Sequence, residues 1–206
     1  MTKIKLCGLS RPCDIEAANE LEPDYIGFIF ASKSRRYVSP EKAAVLKKLL
    51  RHGIKAVGVF VNEEPEVIAK LLSDGVIDVA QLHGNENEDY IERLRALTDK
   101  PIIKAFRIDS EQDAADAQNS SADFVLLDSG NGGTGTAFDW SLIKNIKRPF
   151  FLAGGLDCGN VGSAVEVIKP YAVDVSSGIE TEGIKDRAKM AKFVSAARGT
   201  SEKERM

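Results

Sequence analysis

The sequence predicts an α/β fold, a single (β/α)8 barrel with parallel strands, and three observations predict it. Eight short runs rich in Val, Ile and Phe are spread through the 206 residues. Each run is nearly continuous in apolar residues, as expected of strands covered on both faces of a parallel sheet. Amphipathic stretches of helical period lie between the runs, and no Pro/Ser-rich linker divides the chain. A right-handed β-α order repeated eight times closes naturally into a barrel, the TIM-barrel arrangement, here nearly minimal in length. A doubly wound open sheet is the alternative, and it would need a switch point that sequence does not reveal.

The strands are expected at residues 3–7, 24–30, 55–61, 78–82, 101–106, 123–128, 149–153 and 171–175. A helix is expected over 40–51, with Ser39 as N-cap, Pro40 at the first helical position and Glu41 in the first turn. Similar patterns place helices at 65–73, 88–97, 111–118 and 160–168, and Trp140 is expected to start the sixth helix. The last helix is expected over 184–197. A charged tail, GTSEKERM from about residue 199, is expected to fray, and the whole of 1–206 reads as one domain.

Composition bounds the function. The formal net charge of -3 gives no electrostatic case for binding nucleic acid, which would favour a basic face. A single phosphate ligand needs only a local positive site and stays compatible. The three cysteines, Cys7, Cys13 and Cys158, form no C-x-x-C pair, so neither a disulfide framework nor a zinc site is expected. The opening MTKIKLCGLS lacks a signal-peptide apolar run, and no stretch approaches the ~20 apolar residues that span a bilayer. A cytoplasmic protein with no membrane partner is the expectation.

In such barrels the site lies where the strands end. Cys7 ends the first run and Asp128 the sixth. A thiolate at Cys7 could act as base or nucleophile, but a buried small hydrophobe is an equal reading. A carboxyl beside the apolar FVLL can have a raised pKa and act as a general acid, while a turn aspartate before the glycine-rich SGNGGTG is the other reading of Asp128. Together the two would make an acid/base couple across a barrel mouth. Gly154 and Gly155 follow the seventh strand, and Ser176, Ser177 and Gly178 follow the eighth. Loops at these two places often cradle a phosphate with backbone N–H groups.

Gly132, Gly133 and Gly135 suit a flap or further amide donors, or a plain loop. Arg35 and Arg36 follow the second strand, where a guanidinium can hold a carboxylate bidentately or simply be solvated. His83 ends the fourth strand and could line the site, though a structural histidine is the commoner case. No second histidine or carboxylate is spaced with it to ligate a metal. His52 is expected to be exposed.

The blocks KLCGLSRPCDIEAA, DYIGFIFASKSRRYVSP, VGVFVN, QLHGNE, LLDSGNGGTGTAFDW, LAGGLDCGNV and YAVDVSSGIETEGIKD stand in order from Lys3 to about Phe193. With these blocks the chain resembles the phosphoribosylanthranilate isomerases of tryptophan biosynthesis. The departures, such as Leu6 and Leu9 for the more usual isoleucine, are conservative. The resemblance implies an enzyme that performs an Amadori rearrangement of N-(5'-phosphoribosyl)anthranilate to 1-(2-carboxyphenylamino)-1-deoxyribulose 5-phosphate without a cofactor. It implies Cys7 as general base, Asp128 as general acid, Arg36 as the holder of the anthranilate carboxylate, and Gly154, Gly155, Ser176, Ser177 and Gly178 as the phosphate loops.

Two rivals are weighed against this reading. One is another phosphosugar isomerase barrel. In the histidine-pathway isomerase an aspartate takes the base position, where this chain has Cys7. An indole-forming synthase would want a catalytic lysine at a strand end, whereas Lys104 lies inside the fifth run. The other rival is a non-catalytic phosphosugar-binding barrel, which loss of Cys7 or Asp128 would have favoured. The expected partner is a small-molecule phosphosugar, and a monomer is favoured over a homodimer.

Overall fold

Strands β1 (Lys3–Cys7), β2 (Tyr25–Ile29), β3 (Lys55–Phe60), β4 (Val79–Leu82), β5 (Ile102–Arg107), β6 (Phe124–Asp128), β7 (Phe150–Ala153) and β8 (Ala172–Val175) pair in chain order, all parallel. Strand β8 pairs back onto β1, so the sheet is a closed barrel. This is the expected (β/α)8 barrel, and closure rules out the open sheet. The computed structural model describes residues 1–128, 140–143 and 146–199. Helices α1 (Pro12–Leu21), α2 (Pro40–Leu49), α3 (Pro65–Ser73), α4 (Glu88–Leu97), α5 (Glu111–Asn119), α6 (Val161–Ile168) and α7 (Arg187–Ala197) cover the outside. Between β6 and β7 the described residues hold one short 3-10 helix, Trp140–Ile143, where the sixth helix was expected. Gly132, Gly133 and Gly135, and the tail beyond residue 199, lie outside the described residues.

Strand parity divides the core in two. Tyr25, Val57, Val79, Ile103, Leu126, Phe151 and Ala172 form an inner cluster within the barrel, while the intervening strand residues pack against the helices. Aromatic rings fill the barrel floor. Phe151 meets Tyr25, Phe124 and Tyr171 at centroid distances of 5.3, 5.9 and 5.6 Å, and the Tyr25 and Tyr171 hydroxyls are 3.0 Å apart. The lower end is therefore sealed, and polar residues collect at the upper end.

Local chemistry explains where the elements depart from expectation. Asp24, Asp78 and Asp123 stand just before β2, β4 and β6 and serve as caps. Their carboxylates accept from the amides of Ile4, Ala56 and Ile102, at 2.9, 2.7 and 2.8 Å. Helix α1 has no counterpart among the expected helices. Its N-cap residue is Arg11, and it ends on Glu22 in the left-handed region instead of on a glycine. The last helix starts at Arg187, because Ile184–Lys185 (β10) pairs antiparallel with Glu180–Thr181 (β9). Glu182 and Gly183, at φ 52° and 80°, make the two-residue turn between them.

Candidate active site

The upper mouth of the barrel opens into a cavity of about 930 Å³. Cys7, Arg36, His83, Asp128, Gly154, Gly155, Ser176 and Ser177 all line it. Strand parity brings them there. Cys7, His83, Asp128 and Ser176 sit at or just beyond the ends of their strands, on the inward register (Lys5 to Cys7, Val79 to Gln81 to His83, Leu126 to Asp128, Ala172 to Asp174 to Ser176), and the loops that follow the strands bring the others. Eight of the nine residues expected at a site therefore converge on one cavity.

Gly178 is the ninth and is not in the cavity wall. A Cβ built on it would stand 2.0 Å from the Leu156 carbonyl oxygen, so its bareness lets the loops after β7 and β8 touch. Gly154 and Gly155 take φ values of 88° and 63°, in the left-handed region, which turns the chain sharply off β7. The loop continues to Asn160, whose side-chain amide donates to the Gly155 carbonyl at 2.9 Å, and into α6.

Cys7 is buried, with 6% exposure. Its space comes from a bare neighbour on β2: a Cβ on Gly27 would lie 2.7 Å from the Cys7 sulfur. Burial pushes the thiol above its usual value, and the Asp174 carboxylate adds to that. The Lys5 and Lys185 ammonium groups pull it back and favour the thiolate. Lys5 is itself fully buried two residues before Cys7. It donates to both oxygens of Asp174, at 3.0 and 2.9 Å, across the β1–β8 pairing. Burial alone would lower the Lys5 pKa, but Asp174 and Cys7 reverse the sign and keep it charged.

Asp128 keeps 28% of its side chain exposed, so the apolar neighbours on β6 enclose it only in part. His83 stands beside it, with Nε2 3.8 Å from Oδ2. Burial lowers the His83 pKa, which the Asp128 carboxylate partly offsets. His52, by contrast, is exposed.

Of the two arginines after β2, Arg36 lines the cavity and Arg35 is the more exposed. Arg36 offers its Nε and Nη2 edge to Glu180, at 2.5 and 2.7 Å. Lys185 and Arg35 also reach this carboxylate, at 2.7 and 3.0 Å. Burial would raise the Glu180 pKa, but hydrogen bonds from Arg36 and Lys185 hold it down at about 2. Three cations on one anion leave this rim net positive, and the Nη1 side of Arg36 is not taken by Glu180.

Sequence reasoning passed over Lys5, Gln81, Asp174, Glu180 and Lys185. The signal for the first three was present: a charged or amide residue inside an apolar run, two places before a cavity residue (Cys7, His83 or Ser176) and so in phase with it. Glu180 lay in a segment without recognisable period, and Lys185 fell within the expected last helix, where it is instead a strand residue. Lys104 is buried against Glu86 at 2.9 Å and donates to the Gly84 carbonyl at 2.7 Å. Glu86 accepts in turn from the Asn62 and Gly84 amides, so this pair fixes the loops after β3 and β4. Among the described residues no group of three His, Cys, Asp or Glu could hold a metal ion, and no helix is long and apolar enough to cross a membrane.

Comparison with known proteins places this arrangement. The sequence profile described as N-(5'phosphoribosyl)anthranilate (PRA) isomerase matches residues 4–196. The N-(5'-phosphoribosyl)anthranilate isomerase of Thermoanaerobacter sp. (strain X514) is 46% identical over 205 residues, covering 97% of this chain and 99% of its own. The crystal structure of phosphoribosyl anthranilate isomerase from Thermotoga maritima superposes with a TM-score of 0.87 at 38% identity, covering 97% of this chain and all of that one. A crystal structure of such an isomerase in complex with reduced 1-(o-carboxyphenylamino)-1-deoxyribulose 5-phosphate superposes with a TM-score of 0.85 at 37% identity, over 97% of this chain and 100% of that one.

Proposed function

The chain belongs to the N-(5'-phosphoribosyl)anthranilate isomerases of tryptophan biosynthesis, and on that premise we propose that Cys7 is the general base and Asp128 the general acid of its Amadori rearrangement. The observation that carries this is their convergence. A thiol flanked by ammonium groups and a carboxyl beside an imidazole line the same cavity, whose other walls carry groups suited to a phosphate and a carboxylate.

Asp128, protonated, gives its proton to the furanose ring oxygen as the C1'–O bond breaks. The ring opens to a Schiff base with the anthranilate nitrogen, and the iminium makes the C2' proton acidic. The Cys7 thiolate takes that proton, and the resulting enolamine tautomerises to the ketone. Arg36 holds the anthranilate carboxylate with the face that Glu180 leaves. Gly154, Gly155, Ser176, Ser177 and Gly178 belong to the phosphate loops, Gly178 by letting them meet. Phosphate binding energy then orients the reacting carbons. His83 contacts the substrate beside Asp128. A small phosphosugar is the partner, as for the relative solved with a reduced product. One barrel domain spans the chain, working without a cofactor, as a monomer, in the cytoplasm.

A fluorescence assay of the loss of phosphoribosylanthranilate made in situ tests the pair. Cys7→Ala and Asp128→Asn should each fold and each lose about 10²-fold or more in turnover, the usual contribution of an acid or base. Either variant keeping more than about a tenth of wild-type turnover would return that residue to a structural role.

A further inference from the structure

Gln81 sits in the barrel interior on β4, 1% exposed, where an aliphatic side chain would satisfy packing. Its amide makes one contact of hydrogen-bond length, Nε2 to His83 Nδ1 at 3.0 Å. Its Oε1 is buried and has no hydrogen-bond partner among the described residues. Burying an amide for one bond is costly, so that bond indicates what the residue is for.

We propose that Gln81 is a positioning residue, donating to Nδ1 of neutral His83 and thereby fixing the ring proton on Nε2, the nitrogen that faces Asp128. The opposite amide orientation leaves as many groups unpaired and would need the ring proton on Nδ1, turning a bare Nε2 lone pair toward the Asp128 carboxylate 3.8 Å away. Burial favours the neutral ring, helped by Lys5 and Lys104 and opposed by Asp128 and Asp174. A neutral imidazole with Nδ1 accepting must carry its proton on Nε2.

The tautomer matters to Asp128, and this consequence rests on the reading of Asp128 as the acid. An N–H aimed at Asp128 supports the carboxylate that appears when its proton leaves for the substrate. A bare Nε2 would instead accept a hydrogen bond from the protonated carboxyl and compete with the ring oxygen for the proton. His83 Nε2 and Asp128 Oδ2 are 3.8 Å apart, close enough for a small shift on substrate binding to complete the bond.

Nitrogen-15 NMR of the imidazoles reads the tautomer directly, and only His52 and His83 contribute; His52→Gln assigns them. Wild-type His83, above the pH at which it is charged, should show an unprotonated Nδ1 and a protonated Nε2. Gln81→Met should give mixed or reversed tautomers and lower kcat about tenfold, one hydrogen bond's worth, with less change in KM. Gln81→Glu supplies only acceptors and should draw the proton to Nδ1, which keeps a reading available if Gln81→Met does not fold. A wild-type ring protonated at Nδ1, or a folded Gln81→Met with unchanged tautomer and kcat, overturns the proposal. Full activity in Asp128→Asn would overturn the acid assignment instead, and the tautomer spectrum does not depend on it.

Discussion

A thiol with 6% of its surface exposed has lost most of the water that would stabilise its anion, and the thiolate is the form that the base role proposed for Cys7 needs. The ammonium groups of Lys5 and Lys185 oppose that loss without cancelling it, so Cys7 titrates above the ordinary 9.0. Alkylation of Cys7 by iodoacetamide, in a Cys13→Ser/Cys158→Ser background, should therefore accelerate with pH through the neutral range. The kcat/KM of the enzyme should climb with it; a thiol half-ionised at neutral pH would contradict the balance of burial and charge. Glu180 lies on the other side of the same electrostatics. Its carboxyl is held at about 2, below an ordinary 4.5, so the unfolded chain binds the extra proton between those values. The resulting stability is complete above about pH 4.5 and is lost as pH falls toward 2. Glu180→Gln should remove that part of the acid-unfolding curve, followed by circular dichroism. It should also raise KM by leaving Arg36 unanchored. An unchanged acid limb would mean that the three cations do not act on Glu180 as a group.

At the scale of elements, β2 serves the site by what it lacks. A Cβ on Gly27 would lie 2.7 Å from the Cys7 sulfur and 3.1 Å from the Cys7 Cα, closer than packing allows. Gly27→Ala should force the thiol off its position, lowering kcat by an order of magnitude or so while costing about 1–3 kcal/mol of stability, as overpacking does. Denaturant titration alongside kinetics would show it, and a wild-type kcat would mean that Cys7 can rotate freely. The strands were legible because each is buried on both faces and so reads as an apolar run. Their first residues were not always, since Asp24, Asp78 and Asp123 precede the strands as caps, a long-range role that no local pattern carries. Helix α1 escaped because Arg11 is an unusual N-cap and Glu22 stands where a glycine would have marked the end. The β9–β10 hairpin has two residues per strand, too few for a period, and only the Glu182-Gly183 dipeptide hinted at it. The cavity-lining residues at strand ends were readable from position. Gln81, Lys5 and Asp174 carried the signal of a polar residue in inward phase, but what such a residue faces shows only once the opposite wall is known.

For the molecule as a whole, the Lys5–Asp174 pair is the most consequential polar contact, since both partners are buried and they bridge the first and last strands. Lys5→Met strands a carboxylate and should cost about 3–5 kcal/mol in urea unfolding, whereas Lys5→Met/Asp174→Leu should regain much of it without regaining activity. Equal stability of the single and double variants would show that the pair is not coupled. The same seam orders events in time. Strands β1 and β8 join residues far apart in sequence, and such a junction is slow to form because a long loop must close first. Cys7 lies beside that junction, with its carbonyl accepting from the Ser176 hydroxyl at 3.3 Å. A chain with seven strands aligned and the seam still open would carry nearly full secondary structure without Cys7 and Asp128 lining one cavity, the pairing that the proposed acid and base need. In refolding, ellipticity should therefore return before turnover, and the lag between the two traces would clock the final closure; traces that coincide would mean that the barrel assembles in one step.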